Sequence, residues 1–232
     1  MITLFNNFRD TFLKELKLDL NYLEAKPNHA TVLLGWYIGI PKKNNRIIEL
    51  GCGSGIISLY LARTNEVEVT SIDKNAKLIE IARRNVKNNR LKGSIDLKQL
   101  DVGSVKEEFH SGSFDMVVCN PPHFTHSGLT SKKESRNEWR RLDKDLLIKF
   151  VEATRWLLKN RGVFYFVIHP RDMVDWMKAF DDNNLGIHRI KIVHGKLEKQ
   201  AQLILMKGRN NSSSEIVVES PLILRKDEDN VH

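Results

Sequence analysis

Arg46-Ile47-Ile48-Glu49-Leu50-Gly51-Cys52-Gly53-Ser54-Gly55, followed by a run from Ile56 to Arg63, is the stretch that decides the fold. A short apolar run gives way to three glycines at alternate positions and then to a segment with helical periodicity. The order reads as strand, tight turn, helix. A glycine turn lets the backbone bend sharply and approach a ligand without a Cβ in the way. The helix behind it offers N–H groups that have no partner inside the helix. In open α/β sheets, ligands settle at the carboxyl ends of strands near the point where strand order reverses.

Working outward, further strands are expected at Val67 to Asp73, Ile95 to Asp101, Phe114 to Asn120, Val163 to Ile168, Ile187 to Val193 and Ala201 to Met206. Helices are expected at Ala76 to Asn88, Leu142 to Leu158 and Arg171 to Phe180. Alternation of strands with helices implies βαβ units and a parallel sheet. The nearly continuous apolar strands suit a sheet covered on both faces. The last two strands are too close for a crossover helix and should pair as an antiparallel hairpin. Three parts follow: 1–40, a helical extension packed on the core with Phe5, Phe8 and Phe12 at helical spacing; 41–210, the binding and catalytic domain; and 211–232, a tail holding one further β-like run. The polar run from Asn210 to Ser214 reads as a linker or loop.

The chain has 232 residues and a formal net charge of +8, which favours polyanionic partners such as nucleic acid. Its two cysteines, Cys52 and Cys119, form neither a zinc spacing nor a disulfide framework, and the eight histidines have no metal spacing. No metal is expected. The first ten residues do not read as a signal peptide, and no apolar run is long enough to span a bilayer. A cytoplasmic location without membrane attachment is the expectation. Oligomeric state is not legible, and a monomer is the working assumption.

Asp73 closes the second expected strand, where a carboxylate can accept both hydroxyls of a ribose. Asp101-Val102 closes the third. A dinucleotide fingerprint would need a third glycine where Ile56 stands, so a nicotinamide cofactor is only the residual alternative. Directly after the fourth strand comes Asn120-Pro121-Pro122-His123-Phe124. Two prolines fix the backbone, and the residue before each is held extended. The Asn120 side-chain oxygen and the Pro121 carbonyl can then act as fixed acceptors for a planar amino group. Such bonds draw the nitrogen lone pair out of conjugation and free it for attack, so catalysis rests on positioning and preorganised dipoles.

The acid-x-Gly-x-Gly-x-Gly pattern resembles motif I of class I S-adenosylmethionine-dependent methyltransferases. Asn120-Pro121-Pro122 resembles the Asn-Pro-Pro-Tyr motif of amino-methyltransferases, with His123 in place of the usual tyrosine. The order of Ser135-Arg136-Asn137-Glu138, Gly162 to Arg171, Val193-His194-Gly195, Leu203 to Gly208 and Pro221-Leu222-Ile223 looks like the bacterial tRNA(Val) adenine-37 N6-methyltransferase family, over roughly residues 22–224. One departure lies before Val32-Leu33-Leu34: the family usually has an acid there, and this chain has His29-Ala30-Thr31.

The resemblance implies a Rossmann-like class I methyltransferase fold, with a seven-stranded mostly parallel sheet and helices on both faces. It implies S-adenosylmethionine as cofactor, S-adenosylhomocysteine as product, and the N6 amine of an adenine in tRNA as acceptor. Cofactor contacts would fall on Glu49, Gly51, Cys52, Gly53, Gly55, Asp73, Lys74, Asp101, Val102 and Asn120. Glu49 would sit near the amino end of the methionine or order the loop. Asp101 would meet the adenine amino group, with Val102 on the ring. Asn120, Pro121, Pro122 and His123 form the catalytic set, and Phe124 can share a stacking role.

Lys132, Lys133, Arg136, Arg140 and Arg141 surround Trp139 at the substrate entrance, and Arg171 lies at the exit of the fifth strand. They could hold phosphates while a base is flipped inward, or form a solvated helix start. A protein glutamine amide, rRNA guanine N2 and DNA adenine N6 are the competing acceptors. A non-enzymatic nucleotide-binding module would predict a damaged acceptor motif, and Asn120-Pro121-Pro122 is intact.

Overall fold

The computed structural model describes residues 2–19, 28–122 and 133–225, with side chains in α6 described from Lys144 onward. Two helices come first, α1 (Ile2–Lys14) and α2 (His29–Ile38). There follow β1 (Arg46–Leu50), α3 (Ile56–Thr64), β2 (Glu68–Asp73), α4 (Ala76–Asn88) and β3 (Ile95–Gln99). A 3-10 turn (Val102–Ser104) leads into the short α5 (Val105–Glu108) and β4 (Phe114–Cys119). Then come α6 (Lys133–Leu157), β5 (Leu158–Ile168), a 3-10 turn (Pro170–Asp172), α7 (Met173–Asp182), β6 (Leu185–His194), β7 (Ala201–Asn210) and β8 (Val217–Ile223).

The strands form one sheet in the order β3-β2-β1-β4-β5-β7-β6-β8. The first five neighbours are parallel, β7 runs antiparallel to both β5 and β6, and β8 is parallel to β6. Strand order reverses between β1 and β4, so their carboxyl ends splay and leave a crevice. Ile47, Ile48, Val117 and Val118 are fully buried because helices cover both faces. One face packs against α1 to α4 and the other against α5 to α7. Phe164, Phe166, Trp176 and Phe180 interlock on the second face, with centroids 4.7 Å apart for Phe164 and Phe180. Truncating Phe180 to Ala there costs about 3–5 kcal/mol.

Local signals account for most elements. In α4, Asn75 caps the first turn by accepting from the N–H groups of Lys77 and Leu78. Ile79, Ala82 and Val86 form its buried stripe, while Arg83 and Lys87 face out. On α1, Phe5 meets Trp36 edge-on at 5.7 Å, and Phe8 and Phe12 pack on Tyr60 of α3.

Four expectations need correction. The sheet has eight strands among the described residues, because the tail supplies β8 at its edge. β7 runs on to Asn210, and the serines beyond it lie against β6: Ser214 Oγ accepts from Ile187 N at 3.0 Å. β5 starts at Leu158, before Gly162. Between the pairs Phe114↔Leu158 and Met116↔Val163, β4 advances two residues and β5 five, a bulge eased by Arg161 at φ 62°. Finally, α6 starts at Lys133, well before Leu142.

Candidate active site

The glycine turn is clamped onto the end of β2. Gly51 N and Cys52 N both donate to Ile72 O at 2.9 Å, and Gly53 N donates to Asp73 Oδ2 at 2.9 Å. The other Asp73 oxygen accepts from Asn75 N at 2.9 Å, so one carboxylate ties the loop to the start of α4. Gly51, Gly53 and Gly55 all hold positive φ (70°, 55° and 78°), angles that strain any residue with a Cβ. At Gly55 a Cβ would also stand 3.2 Å from Ala82 Cβ, so this glycine lets α3 and α4 pack closely. Asn85, buried on α4, donates to Ser54 O at 3.0 Å and accepts from Asp19 N at 2.7 Å. The loop is thereby anchored to α4 and to the N-terminal extension.

Glu49 is 2% exposed and faces the start of α3. It accepts from Ser58 N at 3.0 Å and from the Ser58 hydroxyl, which in turn pairs with Ser71 Oγ at 2.6 Å. Burial pushes its carboxyl up to about 8, with the Asp73 charge adding to the rise and the Ser58 bonds opposing it. The cysteines are equally sequestered. Burial holds the thiols of Cys52 and Cys119 well above their ordinary range, so neither is a nucleophile at neutral pH.

The crevice is a cavity of about 370 Å³ at the carboxyl ends of β1 to β4. Gly51, Gly53, Asp73, Lys74, Asp101, Val102, Asn120 and Pro122 line it. Asp101 Oδ1 accepts from Gly103 N at 2.8 Å and caps the 3-10 turn, while Oδ2 has no bond among the described residues. Apolar walls come from Ile72, Leu78, Leu100, Leu146 and Phe150.

Asn120 follows the last residue of β4. Its Nδ2 donates to Thr31 Oγ1 at 3.3 Å. The Thr31 hydroxyl donates to Asn28 Oδ1 at 3.0 Å, and Thr31 N donates to the same oxygen at 2.8 Å in the N-cap of α2. With its proton engaged by Asn28, Thr31 Oγ1 has only lone pairs to offer Asn120. That polarity turns the amide nitrogen toward α2 and the oxygen away from it. Asn120 Oδ1 is buried and has no hydrogen-bond partner among the described residues. A buried acceptor left so costs about 1–3 kcal/mol. Of the two such oxygens among the described residues, Asn120 Oδ1 belongs to a residue on the cavity and Asn210 Oδ1 to one in the packing of β7.

Not every expected residue lines the cavity. Glu49, Cys52 and Gly55 build the loop from behind, and Pro121 is buried beside Asn120. Arg171 is exposed on the turn after β5, where its N–H donates to His169 Nδ1 at 3.1 Å, and it lines none of the cavities described. His123, Phe124 and Lys132 lie outside the described residues. Lys133, Arg136, Trp139, Arg140 and Arg141 fall on the first turns of α6, with their side chains outside the description. Sequence reasoning missed Thr31, Asn75, Leu78, Leu100, Leu146 and Phe150. Leu100 adjoins Asp101 and Asn75 adjoins Lys74, so both were within reach. Phe150 carried only a helical-core signal, and Thr31 meets the site by tertiary packing alone.

Residues 25–180 match the family model for the methyltransferase small domain. The chain is 28% identical to the tRNA1(Val) (adenine(37)-N6)-methyltransferase of Haemophilus influenzae, over 69% of this chain and 68% of that one. It is 26% identical to the protein of the same name from Flavobacterium psychrophilum, over 88% of each. Among solved structures, a predicted O-methyltransferase from Agrobacterium tumefaciens superposes with a TM-score of 0.67 at 19% identity, covering 87% of this chain and 89% of that one. TrmN from Thermus thermophilus gives 0.60 at 17%, covering 78% and 48%. At such identities the structural likeness speaks for the Rossmann-like fold.

Proposed function

The chain belongs to the methyltransferase small domain family, and from that premise we propose that it methylates the N6 amine of an adenine in tRNA, with S-adenosylmethionine as donor and S-adenosylhomocysteine as product. The observation that carries this reading is Asn120 Oδ1: a buried acceptor without a partner among the described residues, on a cavity whose other end carries two acids and a glycine turn.

The residues present fit the cofactor. Asp73 has both oxygens oriented by backbone N–H groups and keeps lone pairs for ribose hydroxyls. Asp101 Oδ2 is available to an adenine amino group, with Val102 and the apolar walls against the ring. Gly51 and Gly53 let the backbone come close to the amino-acid portion. When bound, S-adenosylmethionine supplies an electron-poor methyl group on a sulfonium sulfur.

At the acceptor end, Asn120 Oδ1 takes one N–H of the planar amine and the Pro121 carbonyl takes the other. Each bond favours the pyramidal nitrogen that attacks over the conjugated one that enters, so the pair acts mainly in the transition state. Thr31 and Asn28 hold the amide in that orientation through bonds that do not involve the substrate. No strong base is required. The proton stays on the nitrogen during attack and leaves to solvent once methylation has made it acidic.

The tRNA acceptor is supported by what the relatives are named for and by the net charge of +8. A tRNA substrate supports a cytoplasmic location. Among the described residues, no helix is long and apolar enough to cross a membrane. The test is incubation with methyl-labelled cofactor and, separately, bulk tRNA, DNA and protein extract, followed by digestion of labelled nucleic acid to nucleosides. Label in tRNA as N6-methyladenosine is expected. Label in protein alone would end the tRNA reading.

A further inference from the structure

A second cavity, of about 450 Å³, opens on the far side of α2. Arg9, His29, Lys196, Lys199, Gln202 and Arg225 furnish its polar lining; among the described residues no carboxylate lines it, and Arg9 pairs with its neighbour Asp10 at 3.1 Å. Four distant segments meet there: α1, the first turn of α2, the β6–β7 turn and the end of β8. The convergence is held by backbone bonds. Leu224 N donates to His194 O and Arg225 N to Gly195 O, both at 2.9 Å, carrying the β6–β8 pairing onto the turn. Lys199 N closes that turn on Lys196 O at 3.2 Å, and His194 Nδ1 meets Lys199 O at 2.8 Å. The cationic side chains thus stand on fixed backbone.

Topology sets this cavity on the same rim as the first. β6 runs parallel to β5, because each is antiparallel to β7, and β8 is parallel to β6. Their carboxyl ends therefore point the same way as those of β1 and β4. The first turn of α2 separates the two cavities. His29 and Val32 face the basic one, while Thr31, between them, holds Asn120 in the other.

We propose that the basic cavity seats backbone phosphates of the RNA whose base enters at Asn120. The inference rests on the tRNA reading above. A lining that brings Lys196, Lys199 and Arg225 together with Arg9 and His29 suits a ligand with repeated negative charge, and contacts of this kind position a nucleic acid without reading its sequence. Its place across one helical turn from the acceptor amide suits chain that continues outward from a flipped nucleotide. A free phosphate shares the chemistry, and the test separates the two sources.

The triple variant Lys196→Gln, Lys199→Gln and Arg225→Gln alters exposed side chains only. Binding of an unmodified tRNA(Val) transcript is measured across a salt series, together with kcat, KM, cofactor affinity and titration with inorganic phosphate. The expected result is a tRNA Kd and KM raised about tenfold and a log–log salt slope shallower by about two, with cofactor affinity and the thermal midpoint held. A Lys-to-Arg pair at 196 and 199 should retain wild-type affinity. If wild type methylates the transcript while the triple variant keeps its KM and salt slope, the phosphate seat is wrong and the function stands. Loss of inorganic phosphate binding with tRNA KM unmoved would likewise overturn the RNA assignment. If wild type methylates no tRNA, both readings fall.

Discussion

At one end of the main cavity, Gly53 bonds to Asp73 twenty positions away and Asp73 to Asn75 two positions away. At the other end, Asn120 leans on Thr31, 89 positions away. The two ends also differ in how their polar groups are satisfied. Both oxygens of Asp73 already accept backbone N–H groups, so that carboxylate is held in place by the folded backbone. Asn120 Oδ1 is buried without a partner among the described residues. On the proposed function, the contrast is between a cofactor end held by backbone bonds and an acceptor end whose amide oxygen has no partner among the described residues.

The contrast breaks first at Asn120. Asn120→Ala should lower kcat about 10²–10³-fold while cofactor affinity, read by calorimetry, stays near wild type. Equal loss of both would mean that Asn120 serves binding instead. Next is Asp73→Asn, expected to raise the cofactor Kd about 10–100-fold, because hydrogen bonds to a charged acceptor are the stronger kind. Unchanged affinity would show that Asp73 serves the loop alone. Thr31→Val keeps the shape and removes the acceptor that orients the amide, so kcat should fall about three- to tenfold with cofactor affinity unmoved. Thr31→Ser should restore it, and a Ser variant as slow as Val would mean packing matters there rather than the hydroxyl.

The smallest effect concerns Glu49, behind the loop. Its folded carboxyl is pushed up to about 8 from an ordinary value of 4.5, so the folded chain holds a proton there that the unfolded chain has released. Stability from this group is therefore lost as pH rises through that window. Glu49→Gln does not titrate, so its thermal midpoint relative to wild type should climb by several degrees from about pH 5 to pH 9. A flat difference would mean that Glu49 is ionised throughout.

Legibility followed the same division. β1, α3, β2 and α4 could be read from the sequence because glycine turn, cap and apolar stripe all lie within a few residues of the backbone they shape. The acids at 73 and 101 were legible as strand ends. β8 was legible only as a β-like run in the tail; its place beside β6 was not, because Val217 and Val218, 58% and 62% exposed, carry no burial pattern. The bulge that extends β5 back to Leu158 depends on pairing with β4, which no local signal encodes. Thr31 and the basic cavity escaped for the same reason: each exists only where distant segments meet. Glu49 was legible as part of the motif, but its two roles there were separated only by its bonds to Ser58.

The most direct trial uses two tRNA(Val) transcripts, one with adenine and one with purine at position 37, the position named for the relatives. Both should bind with similar affinity. Only the adenine transcript should accept label, recovered solely as N6-methyladenosine. Methyl transfer to the purine transcript, or recovery of the label on a ring nitrogen or a ribose, would contradict an exocyclic amine held at Asn120.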